Sequence, residues 1–125
     1  MSHEATNWIA LSEAATELIA PVERDGAVLY VLQEVQPQGR AFELGDTQVN
    51  RPYDAVVFFA DLEPDVNWGH RCRYLVIDVT GANREAIDAQ WPPFLRSVPS
   101  SLRLVWKGAA APAWAVVTQA RLDAR

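Results

Sequence analysis

The chain has 125 residues, half of them hydrophobic, a single cysteine and a net charge of −5. That length suits one domain with a core of its own, and the apolar share is too high for a disordered chain. One cysteine makes no internal disulfide, and net acidity argues against a nucleic-acid partner, whose phosphates need a concentrated basic face.

The charge is unevenly spread. Residues 1–65 carry twelve acids against three arginines, a balance of −9. Residues 66–125 carry four acids against seven arginines and one lysine, a balance of +4. The ordinary cause is that the two halves pair across one fold. The N-terminus shows neither the basic start nor the apolar stretch of a signal peptide. The longest uncharged apolar run, 55–60, is far too short for a bilayer span. A cytoplasmic protein with no membrane partner is expected, folded as one domain over 1–125 with a loose start at 1–7.

In chain order, Ser12 can cap a helix over 13–20, with Leu11, Ala14, Ala15, Leu18 and Ile19 at helical spacing on one face and Pro21 as its stop. Arg24-Asp25-Gly26 is a turn. Residues 27–35 form a strand apolar on both faces, as a central strand would be. A turn at 36–39 leads to a second strand over 40–49, expected to pair with the first as a hairpin, with a bulge at Gly45. Residues 56–62 make a third, fully buried strand. The loop 63–71 separates it from a fourth, 72–79, whose Arg73, Leu75, Ile77 and Val79 face one way and Cys72, Tyr74, Val76 and Asp78 the other.

Asn83 is a fair cap for a second helix over 84–91, with Ile87 and Trp91 one turn apart and Pro92-Pro93 as its end. A fifth strand over 102–106 would set Leu102, Leu104 and Trp106 on one face, and a sixth is expected over 114–122. The fold class that follows is α+β: a mostly antiparallel sheet of five to six strands with two helices on one face, in the order α-β-β-β-β-α-β-β.

The stretch 54–78 concentrates whatever chemistry there is. A thiol site would use Cys72 as nucleophile, His70 as base and Asp61 or Asp78 as orienter, because an imidazole beside a thiol can draw off its proton. The ordinary alternative is that Cys72 is a small core residue. Asp61, Glu63, Asp65, His70 and Cys72 also offer mixed oxygen, nitrogen and sulfur donors suited to zinc, but no CxxC, HxH, HExxH or EF-hand spacing appears. No metal ligand is therefore assigned, and no cofactor is expected.

The remaining possibility is a recognition surface on the loop 61–73, built from Trp68, Arg71, Arg73, Glu63 and Asp65 and extended by Tyr53, Trp91 and Trp114. Trp and Arg dominate interface hot spots. Trp91, Trp106 and Trp114 also fall at inward positions of their elements, which would bury them instead. A small-molecule pocket lined by Tyr30, Phe58 and Trp91 is a further option.

In size, acidity and helix–strand mix the chain resembles bacterial immunity proteins and acidic secretion chaperones. It lacks the long amphipathic C-terminal helix of the chaperones and ends in RLDAR. The resemblance implies a non-enzymatic binding or regulatory domain that captures another protein, one with a basic surface to suit the acidic half. A small cysteine-dependent hydrolase or transferase is the competing class. Two open sheet edges would also allow a homodimer.

Overall fold

A computed structural model describes residues 6–66, 69–92 and 98–123. Two helices, α1 (Trp8–Glu17) and α2 (Pro21–Arg24), precede the strands β1 (Val28–Leu32), β2 (Phe42–Leu44), β3 (Thr47–Val49), β4 (Ala55–Asp61), β5 (Cys72–Asp78), β6 (Arg84–Ala89) and β7 (Leu102–Lys107). The fold is single-domain α+β. Five strands form an antiparallel sheet in the order β6-β5-β4-β1-β7, and β2 pairs with β3 as a separate ribbon.

The apolar runs of β1, β4 and β5 take the middle of the sheet, where both faces are covered, and every residue of β4 is buried. One face packs Leu29, Val31, Val56, Phe58, Leu75 and Ile77 against Leu11, Ala14, Ala15 and Ile19, so the helical stripe of α1 is the expected one. The helix starts earlier than expected. Asn7 caps it, its Oδ1 accepting from the Ala10 N–H at 3.0 Å, and Ser12 lies inside. The helix also ends earlier, at Glu17 with Leu18 as its C-cap, and Pro21 instead opens α2 at the first position, where no N–H is needed.

The opposite face packs Tyr30, Val57, Phe59, Tyr74 and Val76 under the ribbon's Leu44. Tyr30 stacks on Phe59 with ring centroids 5.6 Å apart. Tyr30 and Phe58 therefore belong to opposite faces and line no common pocket. The alternation along β5 is the expected one.

Four expectations change. Residues 40–49 are not one strand paired with β1. Gly45, at φ +62°, turns the chain between β2 and β3, so the expected bulge is a hairpin turn, and β1 pairs with β4 and β7 instead.

The second helix, expected over 84–91, is the edge strand β6. Asp78 N–H donates to Asn83 O at 2.9 Å, and this tight reversal lays the chain antiparallel along β5. A period-two pattern then places Ile87 and Ala89 over the ribbon-side core, while Arg84, Ala86 and Asp88 face solvent. Pairing with a neighbouring strand outweighs the good local helix formers.

A register shift against β1 lets Leu104 pair with Tyr30 and Trp106 with Leu29. Trp106 thus lies on the helix side, where its Nε1–H donates to Thr16 Oγ1 at 2.9 Å.

The sixth strand, finally, is absent. Residues Ala113–Ala115 form a 3-10 turn, and the chain then meets β7 only through a parallel bridge, Leu104 to Arg121. This tail wraps the β7 edge, placing Val116 on one face and Leu122 on the other.

The two charge-unbalanced halves do pair: Arg71 and Arg73 reach Glu23, Arg84 reaches Glu17, and Arg51 reaches Glu85. Among the described residues no helix is long and apolar enough to cross a membrane.

Candidate functional site

The β4–β5 register makes Asp61, the last residue of β4, the direct cross-strand partner of Cys72, the first of β5. Partners across an antiparallel pair point to the same face, so the carboxylate and the thiol share one end of the sheet. The described ends of the intervening loop are tied to each other beside them. Leu62 N–H donates to Arg71 O at 3.1 Å, and Arg71 N–H donates to Glu63 Oε1 at 2.7 Å. His70 extends the strand pairing, its N–H donating to Gln90 O at 2.9 Å, and its ring enters beside Asp61 with Nε2 2.9 Å from Oδ1. One donor atom each from Asp61, His70 and Cys72 lie within 4.8 Å of one another.

Burial sets the electrostatics. Asp61 is 7% exposed. Desolvation lifts its carboxyl above the ordinary value, outweighing the attraction of the His70 ring and the Glu63 N–H at 3.2 Å. Burial also pushes the Cys72 thiol up to about 12, with the Asp61 and Glu63 carboxylates adding to it.

The sulfur donates towards His70's own carbonyl oxygen at 3.5 Å, while that ring is engaged by Asp61. This is the reverse of what a nucleophilic thiolate needs, which is an electropositive, accessible setting. Asp78 stands at the far end of β5, roughly 20 Å away at about 3.3 Å per residue, so it cannot orient this imidazole.

The recognition residues are dispersed. Trp68 lies outside the described residues. Arg73 is only 14% exposed and serves the fold: Nη1 binds Glu23 at 3.0 Å and Nε binds Asp88 at 2.7 Å. Arg71 is 60% exposed and reaches Glu23 at 2.7 Å. Glu63 is half-buried and holds the loop neck, and Asp65 is exposed.

Of the three tryptophans expected in the core, Trp106 packs against it, but Trp114 is 71% and Trp91 57% exposed. Trp91 nonetheless has a fixed seat. Its indole lies on Gly69, where an added Cβ would come within 2.9 Å of Cζ2, and its carbonyl accepts the Tyr74 hydroxyl at 2.6 Å. Between this corner and the loop a cleft of about 240 Å³ is lined by Leu62, Arg71, Cys72, Asp88, Ala89 and Gln90.

The sequence clue to Trp91 was its place just beyond an alternating edge segment and before Pro92-Pro93. The good helix formers of 84–91 hide that alternation. Comparison with protein families, with curated proteins and with solved structures finds no match for this chain.

Proposed function

We propose that the protein is a non-enzymatic binding module that captures another protein through the corner formed by the loop after β4 and the end of β6. The observation that carries this reading is Trp91: a large aromatic more than half exposed, yet seated on Gly69 and clamped through its carbonyl by Tyr74. An exposed indole contributes little to the core, and holding it in one place lowers the entropy cost of docking. Gln90, the chain neighbour of Trp91, lines the cleft together with the 60% exposed Arg71, and Trp and Arg are both enriched among interface anchors. The net charge of −5 favours a partner with a basic surface, mainly by speeding encounter. The raised thiol of Cys72 speaks against the competing cysteine-dependent hydrolase or transferase.

The test is capture of interacting protein from extracts of the producing cell by the native chain, by Trp91→Ala and by Trp114→Ala, with melting curves on each. Anchors of this type contribute about 2 kcal/mol or more, so Trp91→Ala should weaken binding roughly 30-fold with the melt nearly unchanged, and added salt should slow association. Trp114→Ala should bind as the native chain does. Equal capture by native chain and Trp91→Ala, or nothing retained by the native chain, overturns the reading.

A further inference from the structure

We infer that Asp61, His70 and Cys72 form a binding site for one thiophilic divalent cation, of the zinc class, at the closed end of the β4–β5 pair. The site goes beyond the docking surface and needs no partner to be tested. Its basis is convergence. A carboxylate, an imidazole and a thiol arrive from two strands and the loop between them, with donor atoms within 4.8 Å of one another. A tetrahedral zinc with bonds of about 2.0 Å to nitrogen and oxygen and about 2.3 Å to sulfur spaces its ligands by about 3.3–3.6 Å. Small side-chain rotations reach that spacing: the Asp61–His70 pair, now at 2.9 Å, opens slightly, and the sulfur closes in.

The donor set selects the ion. Calcium and magnesium take oxygen ligands, whereas a thiolate and an imidazole with one carboxylate suit zinc and its spectroscopic substitute cobalt(II). Charge is matched as well. A thiolate and a carboxylate with a neutral imidazole carry −2, which a divalent cation cancels in a place too buried to leave it unpaired. The arginines flanking Cys72 do not oppose this, since Arg71 turns to Glu23, and Arg73 to Glu23 and Asp88.

Of the three ligands, Cys72 borders the cleft lined also by Arg71, Asp88 and Gln90, the side from which an ion would enter. On binding, the Sγ–H bond breaks, the proton leaves to solvent and the Sγ–metal bond forms, with no oxidant or reductant involved. Three protein ligands leave a fourth position for water, as in sites that are not purely structural.

Cobalt(II) titration of the chelator-treated full chain, read by absorbance, tests the site, with zinc, calcium and magnesium as competitors. The expected result is one equivalent bound with a thiolate-to-cobalt charge-transfer band. Zinc should abolish the band; calcium and magnesium should not. Cys72→Ser should lose the band, and His70→Gln and Asp61→Asn should each weaken affinity tenfold or more. Melting curves establish that each variant folds. Should Cys72→Ser fail to fold, the other two variants decide. Absence of a band in the native chain overturns the site, as does a band that survives in Cys72→Ser, or unchanged affinity in both His70→Gln and Asp61→Asn.

Discussion

Two aspartates stand at opposite ends of the β4–β5 pair, and they are equally hidden: Asp61 is 7% exposed and Asp78 6%. Their chemistry differs because Asp61 is enclosed more deeply by protein and because their hydrogen-bond donors differ. Burial pushes the Asp78 carboxyl up, but the Thr80 N–H at 3.0 Å, the Asn83 amide at 2.9 Å and the Thr80 hydroxyl outweigh it, so the group sits below its ordinary value. Asp61 has one loop N–H and one imidazole, and burial wins. Asp78 is the cap of a turn, its charge fully used by the reversal into β6. Asp61 is a carboxylate whose charge the fold leaves under-compensated, with a second and a third donor beside it. Two acids equally closed to water contact are thus structural at one end and available for function at the other. Asp61 is surrounded more deeply by protein and so suffers more desolvation, while Asp78 sits shallower and has the richer supply of hydrogen-bond donors.

The strands between the two ends set the scale for breaking this contrast. Phe58→Ala, in the middle of β4 and without any exposure, should cost about 3–5 kcal/mol in denaturant melts; a cost near zero would mean that the α1 face is not the main core.

The aspartates come next. Asp78→Asn removes the anionic acceptor of the turn and should cost about 1–3 kcal/mol at neutral pH. Asp61→Asn replaces an ill-compensated charge and should cost distinctly less. Their pH dependences should run in opposite directions. The stability that Asp78 contributes is present above its ordinary value of 3.8 and is lost as pH falls through its lower folded value. Asp61 favours its protonated form when folded, so its contribution is fully present below 3.8 and declines as pH rises towards its higher folded value. Melts of both variants against the native chain from pH 3 to 7, a window of about four units around the ordinary carboxyl range, should give difference curves of opposite slope. Parallel slopes would erase the distinction.

The smallest effect belongs to the exposed ion pair just beyond the Asp78 turn. Arg84→Ala, which loses Glu17 at 2.9 Å, should change stability by about 0.2–1 kcal/mol and should lose even that in high salt. A larger effect would make the turn end depend on surface charge rather than on the buried cap.

Much of the fold was legible in the residues. The runs of β1, β4 and β5 are apolar at consecutive positions, which only a two-sided burial satisfies, and the stripe of α1 repeats at helical spacing. The members of the site were legible as a group between two strands, because Asp61, His70 and Cys72 are close in sequence. Which of them meet was not. Glu63 and Asp65 are as near in sequence as Asp61, yet only Asp61 stands opposite Cys72, and that follows from a register that no short window contains. Trp91 was misplaced for a similar reason. Residues 84–91 read locally as helix, and a five-residue reversal recruited them to a sheet edge instead.

By itself, then, the sequence determined the class of the protein: an acidic α+β domain with two strands apolar on both faces, a further apolar strand after the loop, and an amphipathic first helix packed on the sheet. Periodicity and burial of apolar surface are local properties, written wherever the side chains are. The strand order, the side taken by Trp106, the exposure of Trp91 and the meeting of a carboxylate, an imidazole and a thiol were decided by the tertiary structure. Each depends on hydrogen bonds between strands, whose register and sharing of partners are set only when the whole sheet forms.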